Sequence, residues 1–244
     1  MLSYSKSNKS SNDAEQSLIF FPFAGGCGEY YIPWFKYFDD KIDCYYAMLN
    51  GRGRYFDIPA VNNLSELLNK LIPGILKIAE KKPVNLFGHS MGGLIAFELA
   101  RKLFFEYKIT INNLFVSGFR APSLPYLKNF LHKMNKEELF VHLKDMGGID
   151  LSGNIDLEIL KPFLPTLYSD FKLCELYNYE NNDPLPCDIT VLWGKDDLLV
   201  QQEKIKLWEK ESLRRIDFNS FSGDHFYMNS NISEIAKVII GKLN

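Results

Sequence analysis

Short apolar runs alternate along the chain with longer segments in which apolar side chains recur every three or four residues. The short runs have the length of buried strands and are bounded by turn residues. They occupy residues 17–22, 42–49, 84–88, 113–117 and 189–193. Between them, residues 29–39 and 63–81 have the spacing of amphipathic helices. The alternation predicts a mostly parallel sheet with helices on both faces and a ligand site at the carboxyl ends of its strands.

The segment 121–186 interrupts this alternation. Two amphipathic helices are predicted in it, at about 136–146 and 156–177, with a Gly147-Gly148 turn between them. Helices that are inserted between two strands and placed above the carboxyl ends of a sheet are typical of a lid. Ordinary packing of these helices over a core is the alternative interpretation.

The length of 244 residues is compatible with one α/β domain, and 46% apolar with 24% charged residues is ordinary for a globular protein. Residues 1–16 are rich in Ser, Asn and Lys, which predicts a flexible N-terminal tail. Residues 17–244 are then expected to form a single domain that includes the lid.

Charge and cysteine content argue against several classes of function. A net charge of −2 disfavours nucleic-acid binding, which depends on clustered Lys and Arg. The four cysteines form no Cys-x-x-Cys pair and no metal-binding spacing with histidine, so neither a zinc site nor a disulfide framework is indicated.

Because the polar N-terminus lacks a signal-peptide core and no segment has the apolar length of a membrane span, we expect a cytoplasmic protein without membrane contact. A monomer is the default expectation.

The sequence FGHSMGGL follows the apolar run that starts at Val84 and precedes a long apolar segment. A G-x-S-x-G turn between a strand and a helix presents its serine above the end of the sheet, so Ser90 is a candidate nucleophile. Gly88 and Gly92 allow the sharp turn and the close passage of strand and helix. A glycine-rich connection with an incidental serine is the alternative.

A serine nucleophile needs a base, and His225 is the predicted base. The chain has four histidines, of which His89 adjoins the serine while His132 and His142 fall in the predicted lid. His225 lies in a late Gly-Asp-His loop that can reach the carboxyl end of the sheet. Nucleophile, acid and base occur in this order along chains that carry such an elbow.

The predicted acid follows the strand ITVLW, in the sequence Gly194-Lys195-Asp196-Asp197. A carboxylate just past a strand end can accept the second ring N–H of the base. Asp197 is favoured because the turn carries the third residue back towards the site, and Asp196 stays open as the alternative. Asp224 adjoins His225 in sequence, which makes the required geometry unfavourable.

Two backbone amides are predicted to stabilise an oxyanion. The turn at Ser90 points the amide of Met91 at the space beside the serine. The small residues of the loop Phe23-Ala24-Gly25-Gly26 allow the amide of Ala24 to approach the same space.

The chain resembles the type II thioesterases of nonribosomal peptide and polyketide assembly lines over nearly all of residues 18–242. The motifs that carry the resemblance are, in order, FPFAGG, NGRGR, LFGHSMGG, SGFRAP, LPTLYSDFKLCELY, ITVLWGKDD and SGDHFYMN. The resemblance implies an α/β-hydrolase fold and release of acyl groups from the phosphopantetheine arm of acyl or peptidyl carrier proteins. It implies no metal or redox cofactor. Asn50, where the family usually has Pro, and Cys27 are the departures.

Carried over residue by residue, the family's nucleophile falls on Ser90, its acid on Asp197 and its base on His225. Its oxyanion donors fall on Ala24 and Met91.

Further residues are predicted to contact the substrate or its carrier. Arg52 and Arg54 can meet an acidic carrier or the phosphate of the arm, or can simply be solvated. Apolar side chains of the lid, including Phe163, Leu164, Leu167 and Tyr168, can line an acyl channel or belong to the core. Phe23 begins the predicted oxyanion loop, residues 23–26, and Phe226 directly follows the predicted base. Both are also predicted to contact the substrate.

Three other functions stay open from the sequence. Medium-chain acyl-carrier thioesterases of fatty acid synthesis are similar relatives. A serine esterase or lipase acting on free esters has the same catalytic groups. A non-catalytic protein of this fold would bind an acyl carrier or another ligand without turnover.

Overall fold

The computed structural model describes residues 3–6, 14–125, 130–147, 157–180 and 183–243. Within these residues the chain forms one seven-stranded sheet of order β1-β3-β2-β4-β5-β6-β7. The strands are β1 (Ser3–Lys6), β2 (Gln16–Phe21), β3 (Ile42–Met48), β4 (Val84–His89), β5 (Asn113–Ser117), β6 (Asp188–Gly194) and β7 (Ile216–Phe221). All neighbouring strands are parallel except β1 and β3, which pair antiparallel. The predicted mostly parallel sheet is confirmed.

The helices follow the predicted alternation in the first half of the chain. Asn63 caps the first long helix by accepting a hydrogen bond from the Glu66 amide over 2.9 Å. A 3-10 helix covers Gly28–Tyr37, where a short helix was predicted, and another covers Gln202–Glu211. The α-helices are α1 (Leu64–Ala79), α2 (Met91–Tyr107), α3 (Lys136–Asp145), α4 (Leu157–Leu160), α5 (Leu164–Glu175) and α6 (Ile232–Leu243).

Two hydrophobic clusters lie on opposite faces of the sheet. Successive side chains of a strand point to opposite faces, so Ile19 and Phe21 of β2 join one cluster while Leu18 and Phe20 join the other. The first cluster is covered by α1 and α2, and the second by α6 and the 3-10 helix Gly28–Tyr37. Helices on both faces are thereby confirmed.

The structure differs from the predicted elements near the N-terminus and in the inserted segment. Ser3–Lys6, inside the predicted tail, is an edge strand held by backbone pairing with β3, which requires no apolar pattern. The helix predicted over 156–177 is divided into α4, a 3-10 turn at Lys161–Phe163, and α5. Pro165 lies in the first turn of α5, where its missing N–H leaves no intrahelical hydrogen bond unmade. The predicted turn at Gly148 lies outside the described residues.

No helix in the described ranges is both long enough and apolar enough to span a membrane.

Candidate active site

Ser90 occupies a strained turn between β4 and α2. Its backbone has φ 55° and ψ −118°, a region that side-chain-bearing residues rarely adopt and that costs about 1–3 kcal/mol. The Ser90 amide donates to the Ser117 carbonyl of the neighbouring strand over 2.8 Å, which helps to hold the turn. The side chain is only partly buried. The turn therefore has the geometry that the elbow motif predicts.

Gly88 and Gly92 are required by close backbone contacts around this turn. A Cβ atom at Gly88 would lie 1.9 Å from the Gly92 carbonyl oxygen. A Cβ atom at Gly92 would lie 2.1 Å from the Phe21 carbonyl oxygen on β2. Both distances are far below van der Waals contact, so strand and helix pass this closely only because both positions lack a side chain.

Two backbone amides near Ser90 are available to an oxyanion. Met91 is the first residue of α2, so its amide has no intrahelical acceptor. Within the described residues, no protein acceptor takes a hydrogen bond from the amide of Met91 or of Ala24. The amide of Gly25, by contrast, donates to Asp170 Oδ2 over 2.8 Å. The amides of Ala24 and Met91 are therefore available as donors, whereas the amide of Gly25 is not.

His225 is paired with Asp197. Its Nδ1 lies 2.8 Å from Asp197 Oδ2, and since an ionised carboxylate only accepts, Nδ1–H is the donor. The Asp197 side chain is completely buried, and its Oδ1 accepts the Leu199 amide over 2.9 Å. Asp196 is exposed, and the exposed Asp224 accepts the amide of Phe226 instead. Of the three candidate carboxylates, geometry selects Asp197 as the partner of His225.

His225 lies next to the elbow because its ring packs on His89. The two ring centroids are 4.9 Å apart, and His89 directly precedes Ser90 in the chain. Gly118, with φ 57°, makes room for both rings, since a Cβ atom there would lie 2.5 Å from His89 Cε1 and 3.3 Å from His225 Cε1. The predicted nucleophile, acid and base follow β4, β6 and β7, so three strand ends bring them to one side of the sheet.

His89 belongs to a buried polar chain that sequence reasoning missed. Its Nδ1 lies 2.8 Å from Ser117 Oγ, which lies 2.6 Å from the Tyr227 hydroxyl. Burial, with the neighbouring His225 adding to it, holds the pKa of His89 well below its usual range. His89 is therefore neutral at pH 7.

The aromatic side chains predicted to contact substrate lie together at the site. The rings of Phe23 and Phe226 are 5.2 Å apart at an interplanar angle of 80°, an edge-to-face arrangement. Phe226 also contacts the His225 ring at 5.3 Å, and Phe23 contacts Tyr30 at 5.2 Å. They form an apolar wall beside the base.

The inserted segment has a small core of its own, which packs α3 against α5. Leu167 is 5% exposed in this core and also approaches Gly25 of the loop 23–26, while Ala24 of that loop packs against the core. Phe163 is 45% exposed, and its ring contacts that of Phe56 at 5.8 Å. Leu167 thus belongs to a core, which is one of the two alternatives left open from the sequence, and Phe163 lies at the surface. The core consists of Leu131, Leu139, Leu143, Leu167 and Phe171.

The structure corrects the prediction for Arg52. Its side chain is 7% exposed and forms a two-point ion pair with Asp170 of α5, with Nη1–Oδ2 at 2.8 Å and Nη2–Oδ1 at 2.7 Å. An arginine engaged in this way does not reach a carrier or a phosphate. The sequence could not show this, because the partner lies 118 residues away. Arg54 is exposed, as predicted.

Neither a metal centre nor a cavity near α1 and α2 competes with this site. Among the described residues, no cluster of three or more His, Cys, Asp or Glu side chains is arranged to hold a metal ion. A cavity of about 830 Å³ lies between α1, α2 and the end of α5, lined by residues such as Glu98, Arg101 and Lys172. It contains none of the predicted site residues, and we place the chemistry where the reactive groups converge.

Known proteins resemble this chain over almost its entire length. Residues 16–243 match the family model described as Thioesterase domain. The protein named linear gramicidin dehydrogenase LgrE, from Brevibacillus parabrevis, is 32% identical over 96% of this chain and 89% of its own length. The gramicidin S biosynthesis protein GrsT, from Aneurinibacillus migulanus, is 32% identical over 91% of this chain and 86% of its own length. The structure of the type II thioesterase BorB, from the borrelidin biosynthetic cluster, matches with a TM-score of 0.89 at 30% identity, covering 99% of this chain and 97% of BorB.

These similarities confirm the predicted fold and the predicted resemblance to type II thioesterases. The word dehydrogenase in the name of LgrE describes that protein alone, whereas the family model and BorB both concern thioester hydrolysis. The chain belongs to the Thioesterase domain family and is a thioester hydrolase.

Proposed function

We propose that this chain is a type II, editing thioesterase that hydrolyses acyl groups from the phosphopantetheine thiol of acyl or peptidyl carrier proteins. The observation that carries the proposal is the hydrogen bond between His225 and Asp197 beside the strained turn at Ser90. The family match and the similarity to BorB support a thioester substrate. Phosphopantetheine belongs to the substrate, and no metal or redox cofactor takes part.

Acylation of Ser90 is the first half-reaction. Ser90 Oγ attacks the thioester carbonyl carbon while His225 Nε2 takes the hydroxyl proton. Asp197 holds Nδ1–H, so that Nε2 is the basic nitrogen, and stabilises the imidazolium that forms. The amides of Ala24 and Met91 donate to the oxyanion. The carbon–sulfur bond then breaks, and the pantetheine sulfur leaves with the proton from His225.

Hydrolysis of the acyl-serine is the second half-reaction. Water attacks the ester carbonyl carbon while His225 Nε2 takes one of its protons. The same two amides hold the second oxyanion. Collapse breaks the bond to Ser90 Oγ, which regains its proton from His225, and the free carboxylic acid leaves.

Substrate binding is assigned to the apolar surfaces around the triad. Phe23, Phe226 and Leu167 lie beside the reacting groups and contact the acyl chain. Phe163 and Arg54 are exposed and are assigned to the entrance, where the pantetheine arm and its carrier arrive. The segment 121–186 acts as a lid in this proposal, because α5 packs on the oxyanion loop through Leu167.

A comparison of acyl donors tests the choice of substrate. The proposal predicts a kcat/KM for an acyl-carrier thioester well above that for the free oxygen ester of the same acyl group. A preference for the free ester would favour a general serine esterase. A maximum of kcat/KM at medium-chain fatty acyl groups, measured across a series of acyl lengths, would favour a fatty acyl-carrier thioesterase.

Ser90→Ala tests the third alternative, a non-catalytic binding protein. The proposal predicts that turnover is lost while binding of the acyl carrier persists. Unchanged turnover in Ser90→Ala would contradict the proposal, and a parent protein that binds the acyl carrier without turnover would favour the non-catalytic alternative. The cytoplasmic location and the monomeric state stay predictions from the sequence.

A further inference from the structure

Arg52 and Asp170 form a buried ion pair that contacts the oxyanion loop, residues 23–26, at two points. We infer that the two are positioning residues, which fix the orientation of this loop and thereby of the Ala24 amide. The inference rests on the proposed function, because it concerns the oxyanion of that reaction. It gives Arg52 a role different from the carrier contact predicted from the sequence.

Asp170 holds the loop at Gly25. Its Oδ2 accepts the Gly25 amide over 2.8 Å, which fixes the peptide plane between Ala24 and Gly25. The side chain is 2% exposed, so water does not compete for this hydrogen bond. Because the Gly25 amide is engaged by Asp170, it does not compete with the Ala24 amide as a donor to the oxyanion.

Arg52 holds the second half of the loop. Its Nη1 donates to the Gly26 carbonyl over 3.1 Å and to Asp170 Oδ2 over 2.8 Å, so one nitrogen joins the loop to the carboxylate. Its Nε donates to the Asn50 carbonyl over 3.1 Å, which anchors the guanidinium to the loop after β3. The guanidinium of Arg52 thus connects the oxyanion loop, the loop after β3 and helix α5.

Helix α5 adds two contacts that keep Asp170 in place. Leu167, three residues earlier, packs on the loop so closely that a Cβ atom at Gly25 would lie 2.6 Å from Leu167 Cδ2. Thr166 Oγ1 donates to the Gly51 carbonyl over 2.7 Å. The inserted segment therefore contributes to the oxyanion site by orientation, without supplying a reacting group.

Stability alone is a weak explanation for such a pair. Desolvation of two charges offsets much of their attraction, and well-packed apolar replacements of buried ion pairs are often neutral or stabilising. Orientation gives a stronger explanation, because a loop with two consecutive glycines has wide backbone freedom, while an oxyanion donor must lie within hydrogen-bond distance of the developing charge. The pair removes that freedom at the two glycines that directly follow Ala24.

The test replaces the whole pair with apolar residues of similar size, in the variant Arg52→Met/Asp170→Leu. The control is Lys82→Met/Asp43→Leu, which removes another ion pair with a buried carboxylate, with Nζ–Oδ2 at 2.7 Å. Asp43 and Lys82 lie at the amino ends of β3 and β4, away from the reacting groups.

Both variants and the parent protein are compared by thermal unfolding, by kcat and KM for an acyl-carrier thioester, and by inhibition with an alkyl trifluoromethyl ketone. This ketone adds to a serine hydroxyl and forms a tetrahedral oxyanion.

We expect the Arg52→Met/Asp170→Leu variant to remain folded with an almost unchanged KM. Its kcat should fall about 10- to 100-fold, somewhat less than the 10²- to 10³-fold that follows deletion of an oxyanion donor. Ketone affinity should fall in parallel with kcat, a change that a merely structural role would not produce. The control should keep both values within about twofold of the parent protein.

A folded variant with parental kcat and ketone affinity would overturn the inference while leaving the proposed function intact. A parent protein that neither turns over the thioester nor binds the ketone would overturn both. If the double variant does not fold, Arg52→Lys decides, because lysine keeps the charge but cannot bond both Asp170 oxygens and the Gly26 carbonyl. Arg52→Lys should then show a smaller, parallel loss of kcat and ketone affinity, and parental values would contradict the inference.

Discussion

The imidazole of His225 and the carboxylate of Asp197 lie 2.8 Å apart, between Nδ1 and Oδ2, although 28 residues separate them in the chain. The carboxylate is withdrawn from solvent, and its other oxygen accepts the Leu199 amide. The hydrogen bond sets the tautomer of His225 and leaves Nε2 free to take a proton. The basic nitrogen of the site is thereby determined by the position of Asp197.

Replacement of Asp197 should impair turnover far more than replacement of its sequence neighbour. In Asp197→Asn the amide favours the wrong tautomer of His225, so we expect kcat to fall by about 10⁴-fold with little change in KM. Asp196→Asn is the matched control, since Asp196 is exposed and should leave kcat within about twofold of the parent protein. Steady-state kinetics on one thioester checks both, and equal losses would contradict the assignment of Asp197.

His89 should make the folded state sensitive to mild acid. Because burial lowers its pKa in the folded protein, the unfolded chain binds a proton below about pH 6.5 that the folded protein does not bind. The neutral, buried His89 therefore costs no stability above about pH 6.5. Below that pH the free energy of unfolding decreases, by up to about 1.4 kcal/mol per pH unit.

The variant His89→Asn retains a polar group near Ser117 but has no titrating ring. Urea unfolding between about pH 5 and pH 7 should give a shallower pH dependence of stability for His89→Asn than for the parent protein, whatever the difference at pH 7. Parallel curves would show that His89 does not titrate differently in the two states.

The elbow glycines should be intolerant of any side chain, unlike a glycine in an open position. Gly88→Ala brings a Cβ atom 1.9 Å from a backbone oxygen, and we expect unfolding free energy to drop by about 3 kcal/mol or more. Gly241→Ala in α6 is the control, because no atom lies within 4 Å of the added Cβ. Alanine has the higher helix propensity, so Gly241→Ala should stabilise by up to about 1 kcal/mol. Chemical denaturation measures both, and a Gly88→Ala variant as stable as the parent would contradict the packing described.

The sequence was sufficient to predict those parts of the fold and site that depend on local pattern. Residues 84–88 and 113–117 are short segments with an apolar centre, and both form largely buried strands of the sheet. The motif around Ser90 encodes its turn directly, since Gly88 and Gly92 are the residues that the backbone approach demands. Asp197 was favoured over Asp196 from turn geometry, and burial separates the two in the same way.

Other features depend on contacts that no local pattern encodes. Arg52 in a polar loop has the sequence context of a solvated residue, and only the placement of α5 brings Asp170 to it. The chain of His89, Ser117 and Tyr227 likewise joins three separate elements. The strand β7 and helix α6 were missed for a different reason. Their patterns, an alternation at 216–221 and a helical spacing at 232–243, are visible in the sequence, but neither segment is among the predicted elements.

The central claim is that Ser90 carries the acyl group during turnover. Intact-protein mass spectrometry after rapid acid quench of the enzyme with an acyl-carrier thioester tests it most directly. The account predicts a mass increase equal to one acyl group, located at Ser90 by peptide mapping and absent from Ser90→Ala, in which turnover falls by about 10⁶-fold. Hydrolysis by Ser90→Ala at the rate of the parent protein, or an acyl adduct on another residue, would contradict the account.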